Sequence, residues 1–208
     1  MYPCLLFDVD GTLLDTEQAI LSSLSDLLRE RNIPFEPEDL AFVLGIPSVR
    51  SLPRFGIQDI EEAANRWNRL MERHDYQIRV FEGIEPMLRR VKELGLRTGI
   101  VTSKTRTEYI KDFARFDLHP YFDVVVCADD TARHKPHPEP ILTALKRLEA
   151  EPKDTMYIGD SIYDMQCAAG AGVASGLALW GAYDAGIAAN YRLRHPKDIL
   201  TILEAALP

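Results

Sequence analysis

Apolar residues change their spacing along this chain, and the changes divide it. Cys4-Leu5-Leu6-Phe7 is a short unbroken apolar run that stops at Asp8-Val9-Asp10-Gly11, which predicts a buried strand running into a turn. From Thr16 to about Tyr76 the pattern is helical. Ile20, Leu21, Leu24, Leu27 and Leu28 recur on one face, and Ile60, Ala63, Ala64, Trp67, Leu70 and Met71 on another. Breaks at Pro34, Pro37, Gly45, Pro47, Pro53 and Gly56 cut this stretch into short helices.

After Gly83 the pattern alternates. Helices are predicted over 84–94, 105–116, 138–148 and 162–171 and from Pro196 onward, with strands at 97–102, 123–127, 155–159 and 175–180 and a short one near 190–193. Apolar strands separated by helices predict an α/β fold, a doubly wound parallel sheet covered on both faces. The expected organisation is a discontinuous core, 1–14 with 83–208, and a small all-helical domain, 15–82, inserted after the first strand.

In an open parallel sheet ligands bind outside the carboxyl ends of the strands, so the polar residues that follow each apolar run belong together. The first strand delivers Asp8 and Asp10, the second Thr102-Ser103-Lys104. The third leads to Lys135, and the fourth ends at Gly159-Asp160 with Asp164 one helical turn on. Four carboxylates at one rim are stable as ions only if a cation joins them, and an oxygen-only donor set with room for water favours Mg²⁺. With that cation and Lys135 in place the rim can accept a phosphoryl group. The backbone amides of Gly11 and Ser103 and the Thr102 hydroxyl are candidate donors to its oxygens.

Each residue also has a plainer explanation. Thr102 could cap a strand end, Lys135 could be a loop lysine, and Asp160 with Asp164 could cap the helix at 162–171. The order of all four segments, each at a strand end, favours chemistry. His134, His137 and His195 sit in Pro-containing loops without ligand spacing, and Trp67 and Trp180 suit core packing.

Taken together, the motifs resemble the haloacid dehalogenase superfamily, in its phosphatase branch with a helical cap. They are Asp8-Val9-Asp10-Gly11-Thr12-Leu13-Leu14-Asp15, Ile100-Val101-Thr102-Ser103-Lys104, Lys135-Pro136-His137-Pro138 and Gly159-Asp160-Ser161-Ile162-Tyr163-Asp164. The resemblance implies a Rossmannoid core. It makes Asp8 the nucleophile that forms an aspartyl-phosphate and Asp10 the general acid and base, with Thr102 and Lys135 also catalytic. It also implies Mg²⁺ held by Asp8, the Asp10 carbonyl and Asp160, with Asp164 behind them.

The strings around Thr102, Tyr121-Phe122-Asp123 and Lys135 look most like phosphoglycolate phosphatases and inorganic pyrophosphatases. Their substrates are small anions, so Arg50 and Arg54 of the insert are candidate substrate-binding residues. Within the superfamily, dehalogenation has no leaving oxygen for Asp10 to protonate, and phosphonate cleavage needs a cap lysine, whereas 15–82 holds eight Arg and no Lys. A phosphosugar mutase of the β-phosphoglucomutase kind stays open. A phospho-accepting receiver domain would carry its acceptor on the third strand, which here runs into Cys127-Ala128.

Composition narrows the partners. With 24 Lys plus Arg against 32 Asp plus Glu, the net charge of −8 argues against nucleic acid. No apolar run reaches the roughly 20 residues of a membrane helix, and the first residues lack a leader pattern. Cys4, Cys127 and Cys167 are too few and too scattered for a disulfide framework or a zinc site. The expectation is a cytoplasmic monomer or homodimer acting on a small phosphorylated metabolite.

Overall fold

A computed structural model describes residues 2–44 and 46–205; the break read at Gly45 lies outside them. The chain divides into two compact units, 1–14 with 80–208, and 15–79, so the second boundary falls three residues earlier than the sequence suggested. Strand β1 is Cys4–Phe7, followed by the short β2 at Leu14–Asp15. The 15–79 unit holds α1 (Glu17–Glu30), α2 (Ser48–Ser51) and α3 (Ile60–His74), joined by 3₁₀ turns, and ends at β3 (Arg79–Val80), which pairs with β2 in a two-stranded ribbon.

The chain then alternates: α4 (Ile84–Glu93), β4 (Arg97–Val101), α5 (Arg106–Phe113), β5 (Val124–Val126), α6 (Glu139–Leu148), β6 (Thr155–Gly159), α7 (Ile162–Ala171) and β7 (Ala174–Ala178). It closes with β8 (Tyr191–Leu193) and α8 (Lys197–Glu204). Six strands form one sheet in the order β5-β4-β1-β6-β7-β8, every pair parallel. Cys4, Leu5, Leu6 and Phe7 are all fully buried, which requires cover on both faces because successive side chains point opposite ways. Cys4 and Leu6 join Ile141 and Leu145 of α6 and Cys167 and Ala168 of α7 in one layer. On the other face Phe7 meets Phe122 edge-on at 6.0 Å, and Phe122 meets Phe113 of α5.

The topology positions the site. From β1 the chain works outward through β4 to β5, then crosses back to β6 on the other side of β1, so the strand order reverses between β1 and β6. At such a reversal the flanking connections leave in opposite directions and open a crevice at the carboxyl ends. Phe7 pairs with Ile100 of β4 and with Ile158 of β6, bringing the three strand ends level.

The 15–79 unit has its own core. Leu24, Leu27 and Leu28 of α1 pack with Ala63, Trp67 and Leu70 of α3, and the Trp67 indole N–H donates to Ser23 Oγ at 2.9 Å. The Arg31 guanidinium makes two bonds to Asp59, 2.8 and 2.6 Å long. Arg54 stacks on the Phe42 ring, its Cζ 3.9 Å from the centroid, while Arg50 is exposed in the last turn of α2.

Candidate active site

Three of the four predicted segments meet through buried charges. Lys135 Nζ lies 2.9 Å from Asp8 Oδ1 and 2.8 Å from Asp164 Oδ1, with its side chain only 5% exposed. Carboxylate oxygens of Asp8, Asp160 and Asp164 all lie within 4.8 Å of one another. Asp8 stays in the ladder, its N–H donating to Ile158 O at 2.9 Å, so the carboxylate projects from a fixed backbone.

The turn after β1 is wound round one carbonyl. Thr12, Leu13 and Leu14 all donate to Val9 O, and the Gly11 N–H donates to Leu14 O at 2.8 Å. Gly11 has a structural part in this turn. Its amide is engaged in the turn, while its φ of 73° and its missing side chain are what the site uses, since a Cβ there would lie 2.5 Å from Asp160 Cγ. From the other side Gly181 abuts the Gly11 carbonyl, and the Trp180 indole donates to Thr12 O at 2.9 Å. Trp180 thus pins the turn as well as packing.

Asp164 does two jobs. Helix α7 is capped by Ser161, not Asp160. The Ser161 side chain accepts from Asp164 N, and Asp164 Oδ2 accepts from Ser161 N at 3.0 Å and Ser161 Oγ at 2.5 Å. Asp164 Oδ1 accepts from Lys135 and lies 2.9 Å from the Tyr157 hydroxyl. Those partners fill the carboxylate's acceptor sites, which places Asp164 behind the cluster as a holder of Lys135. Gly159 makes room for it, since a Cβ there would fall 2.5 Å from Asp164 Cβ.

Asp160 is less well supplied: one oxygen meets the Thr12 hydroxyl at 3.4 Å. Burial, then the Asp164 and Asp8 charges, push its carboxyl far above the usual range. For Asp8 burial again dominates, and although Lys135 counteracts it the carboxyl is pushed up to about 7. Asp164 stays below the ordinary range because Lys135 and the Ser161 bonds outweigh its burial. Burial works against the Lys135 ammonium, but Asp164 and Asp8 overcome it and keep the group charged. One ammonium cannot compensate three carboxylates, so Asp8 and Asp160 keep their negative charge only when a cation takes the place of their protons. An oxygen-only pair of this kind can hold a hard divalent cation.

Asp10 stands apart from this trio. Its Oδ2 lies 3.2 Å from Lys104 Nζ, which also binds Asp112 Oδ2 at 2.7 Å, and its buried Oδ1 has no hydrogen-bond partner among the described residues. A carboxylate fixed by one oxygen and open at the other suits a proton carrier. Burial opposes the Lys104 charge, but Asp10 and Asp112 together hold it above the normal lysine range. Thr102 is buried at the end of β4 and accepts from Lys104 N at 3.2 Å; Ser103 is exposed beside it. Arg50 belongs to the 15–79 unit.

Thr12, Tyr157, Trp180 and Gly181 were not singled out from the sequence as site residues. Ser161 was readable, because Ser161-Ile162-Tyr163-Asp164 is a capping-box spacing. A second acidic group, Asp129 and Asp130 with Cys127, is consumed structurally: Asp130 accepts from Arg106, Arg147 and Cys127 N, and Asp129 from Arg106 N.

Known proteins share this architecture. A pyrophosphatase PpaX of Bacillus mycoides is 31% identical over 204 residues, covering 95% of each chain. A candidate pyrophosphatase PpaX of Caldanaerobacter subterraneus subsp. tengcongensis is 35% identical over 178 residues, 84% of this chain and 80% of its own. The crystal structure of a candidate phosphoglycolate phosphatase from Lactobacillus plantarum superposes with a TM-score of 0.92 at 31% identity, covering 97% of this chain and 99% of that one. Residues 5–178, from β1 through β7, match the family model for haloacid dehalogenase-like hydrolases, and the chain belongs to that family.

Proposed function

We propose that this chain is a Mg²⁺-dependent phosphatase that hydrolyses a small phosphorylated metabolite through an aspartyl-phosphate on Asp8. Pyrophosphate and phosphoglycolate are the leading substrates, by kinship with the relatives so named. The observation that carries this reading is the crowding of Asp8, Asp160 and Asp164 within 4.8 Å around one buried ammonium. A negative nucleophile can approach a negative phosphate only where positive charge is concentrated. Mg²⁺, held by Asp8, the Asp10 carbonyl and Asp160, would supply that charge and neutralise the phosphoryl oxygens.

The chain's own residues do the rest. An Asp8 oxygen attacks phosphorus and the leaving oxygen takes a proton from Asp10; water then attacks the same phosphorus, gives its proton to Asp10, and Asp8 is released with inorganic phosphate. Lys104, itself anchored by Asp112, holds Asp10 by one oxygen, leaving Oδ1 to carry the proton. Lys135 holds Asp8 in line, and Thr102 and Ser103 bind the phosphoryl oxygens.

Asp8→Asn should lower turnover about 10⁴-fold or more with the melting temperature retained. Excess EDTA should stop the wild type, with recovery on Mg²⁺ but not on Ca²⁺, whose larger and looser coordination misplaces the reactants. Turnover by Asp8→Asn at the wild-type rate would refute the assignment. A panel of pyrophosphate, phosphoglycolate and hexose phosphates ranks the substrates, and an isomerised sugar phosphate in place of free phosphate would identify a mutase.

A further inference from the structure

Tyr157 lies in the middle of β6, fully buried, in an apolar run that marks it as core. Its hydroxyl nevertheless has three polar neighbours: Lys135 Nζ at 3.3 Å, Asp164 Oδ1 at 2.9 Å and the Val101 carbonyl at 2.9 Å. A phenol has one proton and two lone pairs, whereas an ammonium has three protons and accepts nothing. The Lys135 protons therefore go one each to Asp8, Asp164 and Tyr157, and the phenol's own proton goes to Val101 O or Asp164 Oδ1. Burial and the carboxylates of Asp164 and Asp8 keep the phenol neutral.

We infer that Tyr157 is a positioning residue, the third anchor that holds the Lys135 ammonium against Asp8. The inference rests on the phosphatase reading above, in which Asp8 loses its negative charge, and with it much of its hold on the ammonium, when one of its oxygens bonds to phosphorus and the other becomes a neutral carbonyl. At that stage Asp164 and Tyr157 are the two anchors that do not react, and they keep Lys135 in register for the second displacement. Phenylalanine fills nearly the same space but leaves one ammonium proton without an acceptor inside the protein. The lysine then swings, and the alignment of Asp8 with phosphorus degrades.

The test is Tyr157→Phe in the full chain, assayed with pyrophosphate, phosphoglycolate and p-nitrophenyl phosphate in saturating Mg²⁺. Expected is a fall in kcat of about 10- to 100-fold with KM within about twofold, since alignment is lost and binding is not. A second readout needs no turnover: the ¹⁵N-lysine ammonium signal, assigned by its disappearance in Lys135→Met. Its proton exchange should be at least about 10-fold faster in Tyr157→Phe, as a released donor no longer has a fixed acceptor. An unchanged kcat in an active enzyme, or unchanged ammonium exchange, overturns the inference. Wild-type protein inert on every phosphate would overturn the phosphatase reading instead, while the exchange comparison still decides whether Tyr157 anchors Lys135. Tyr157→Met provides a second hydroxyl-free core residue, and failure of both variants to fold would assign the phenol to packing alone and also overturn the inference.

Discussion

Asp160 approaches Gly11 so closely that a Cβ on the glycine would lie 2.5 Å from the carboxylate carbon. The turn that carries Asp10 and the strand end that carries Asp160 therefore fit only through a residue without a side chain. Gly11 is held in the left-handed region, φ 73°, by its own bond to Leu14.

Gly11→Ala should be costly on both counts. The left-handed backbone penalises alanine by about 1 kcal/mol, and relief of the contact must displace Asp160 or the turn. We expect a lower melting temperature, weaker Mg²⁺ binding by titration, and a fall in kcat of about 100-fold. Near-normal Mg²⁺ affinity and rate would show that the approach is not needed.

Stability should depend on pH in a direction opposite to that of an ordinary salt-bridged carboxylate. With Asp8 pushed up to about 7 from 3.8, and Asp160 raised as well, the folded protein stripped of divalent cation binds more protons than the unfolded chain between about pH 4 and 7. Folding stability then falls as pH rises through that window. Asp164, shifted down, contributes stability that is lost only at pH below the ordinary carboxylate range. In EDTA the melting temperature should decrease from pH 5 to pH 8, and the increase on adding Mg²⁺ should be larger at pH 8. Thermal scans at both values, with and without the metal, check this; a Mg²⁺ effect independent of pH would contradict the charge assignment.

Arg50 carries the specificity expectation for the 15–79 unit. If it meets the anionic end of the substrate, Arg50→Ala should raise KM for pyrophosphate or phosphoglycolate about 10-fold and leave p-nitrophenyl phosphate nearly unchanged. Arg50→Lys should rescue poorly because the two-pronged donor is lost. Equal effects on all substrates would remove it from the site.

The sheet and its rim were legible because a parallel strand buried on both faces writes an unbroken apolar run, and the residue that ends the run marks the rim. Asp8, Thr102 and Asp160 are all of this kind. Tyr157 was not legible, because periodicity reports that a side chain is buried and not where its single hydroxyl points. Thr12 and Trp180 were hidden for a related reason: a buried hydroxyl 3.4 Å from Asp160 and an indole donating to Thr12 O depend on how the loop after β7 returns to the first turn. For Gly11 the motif was legible, but its bond to Leu14 O and its close approach to Asp160 emerge only from the folded turn. In the 15–79 unit the helical period survived in α1 and α3, while the proline-rich segments between them became 3₁₀ turns and the four-residue α2, too short to be read from spacing.

The ribbon formed by Leu14–Asp15 and Arg79–Val80 means that the 15–79 segment leaves and rejoins the core on paired neighbouring strands. Ends held roughly 5 Å apart are the geometry in which one module can be exchanged for another at little entropic cost. A foreign segment transplanted between these two junctions would accordingly leave the stretches of chain that carry Asp8 and Lys135 unaltered.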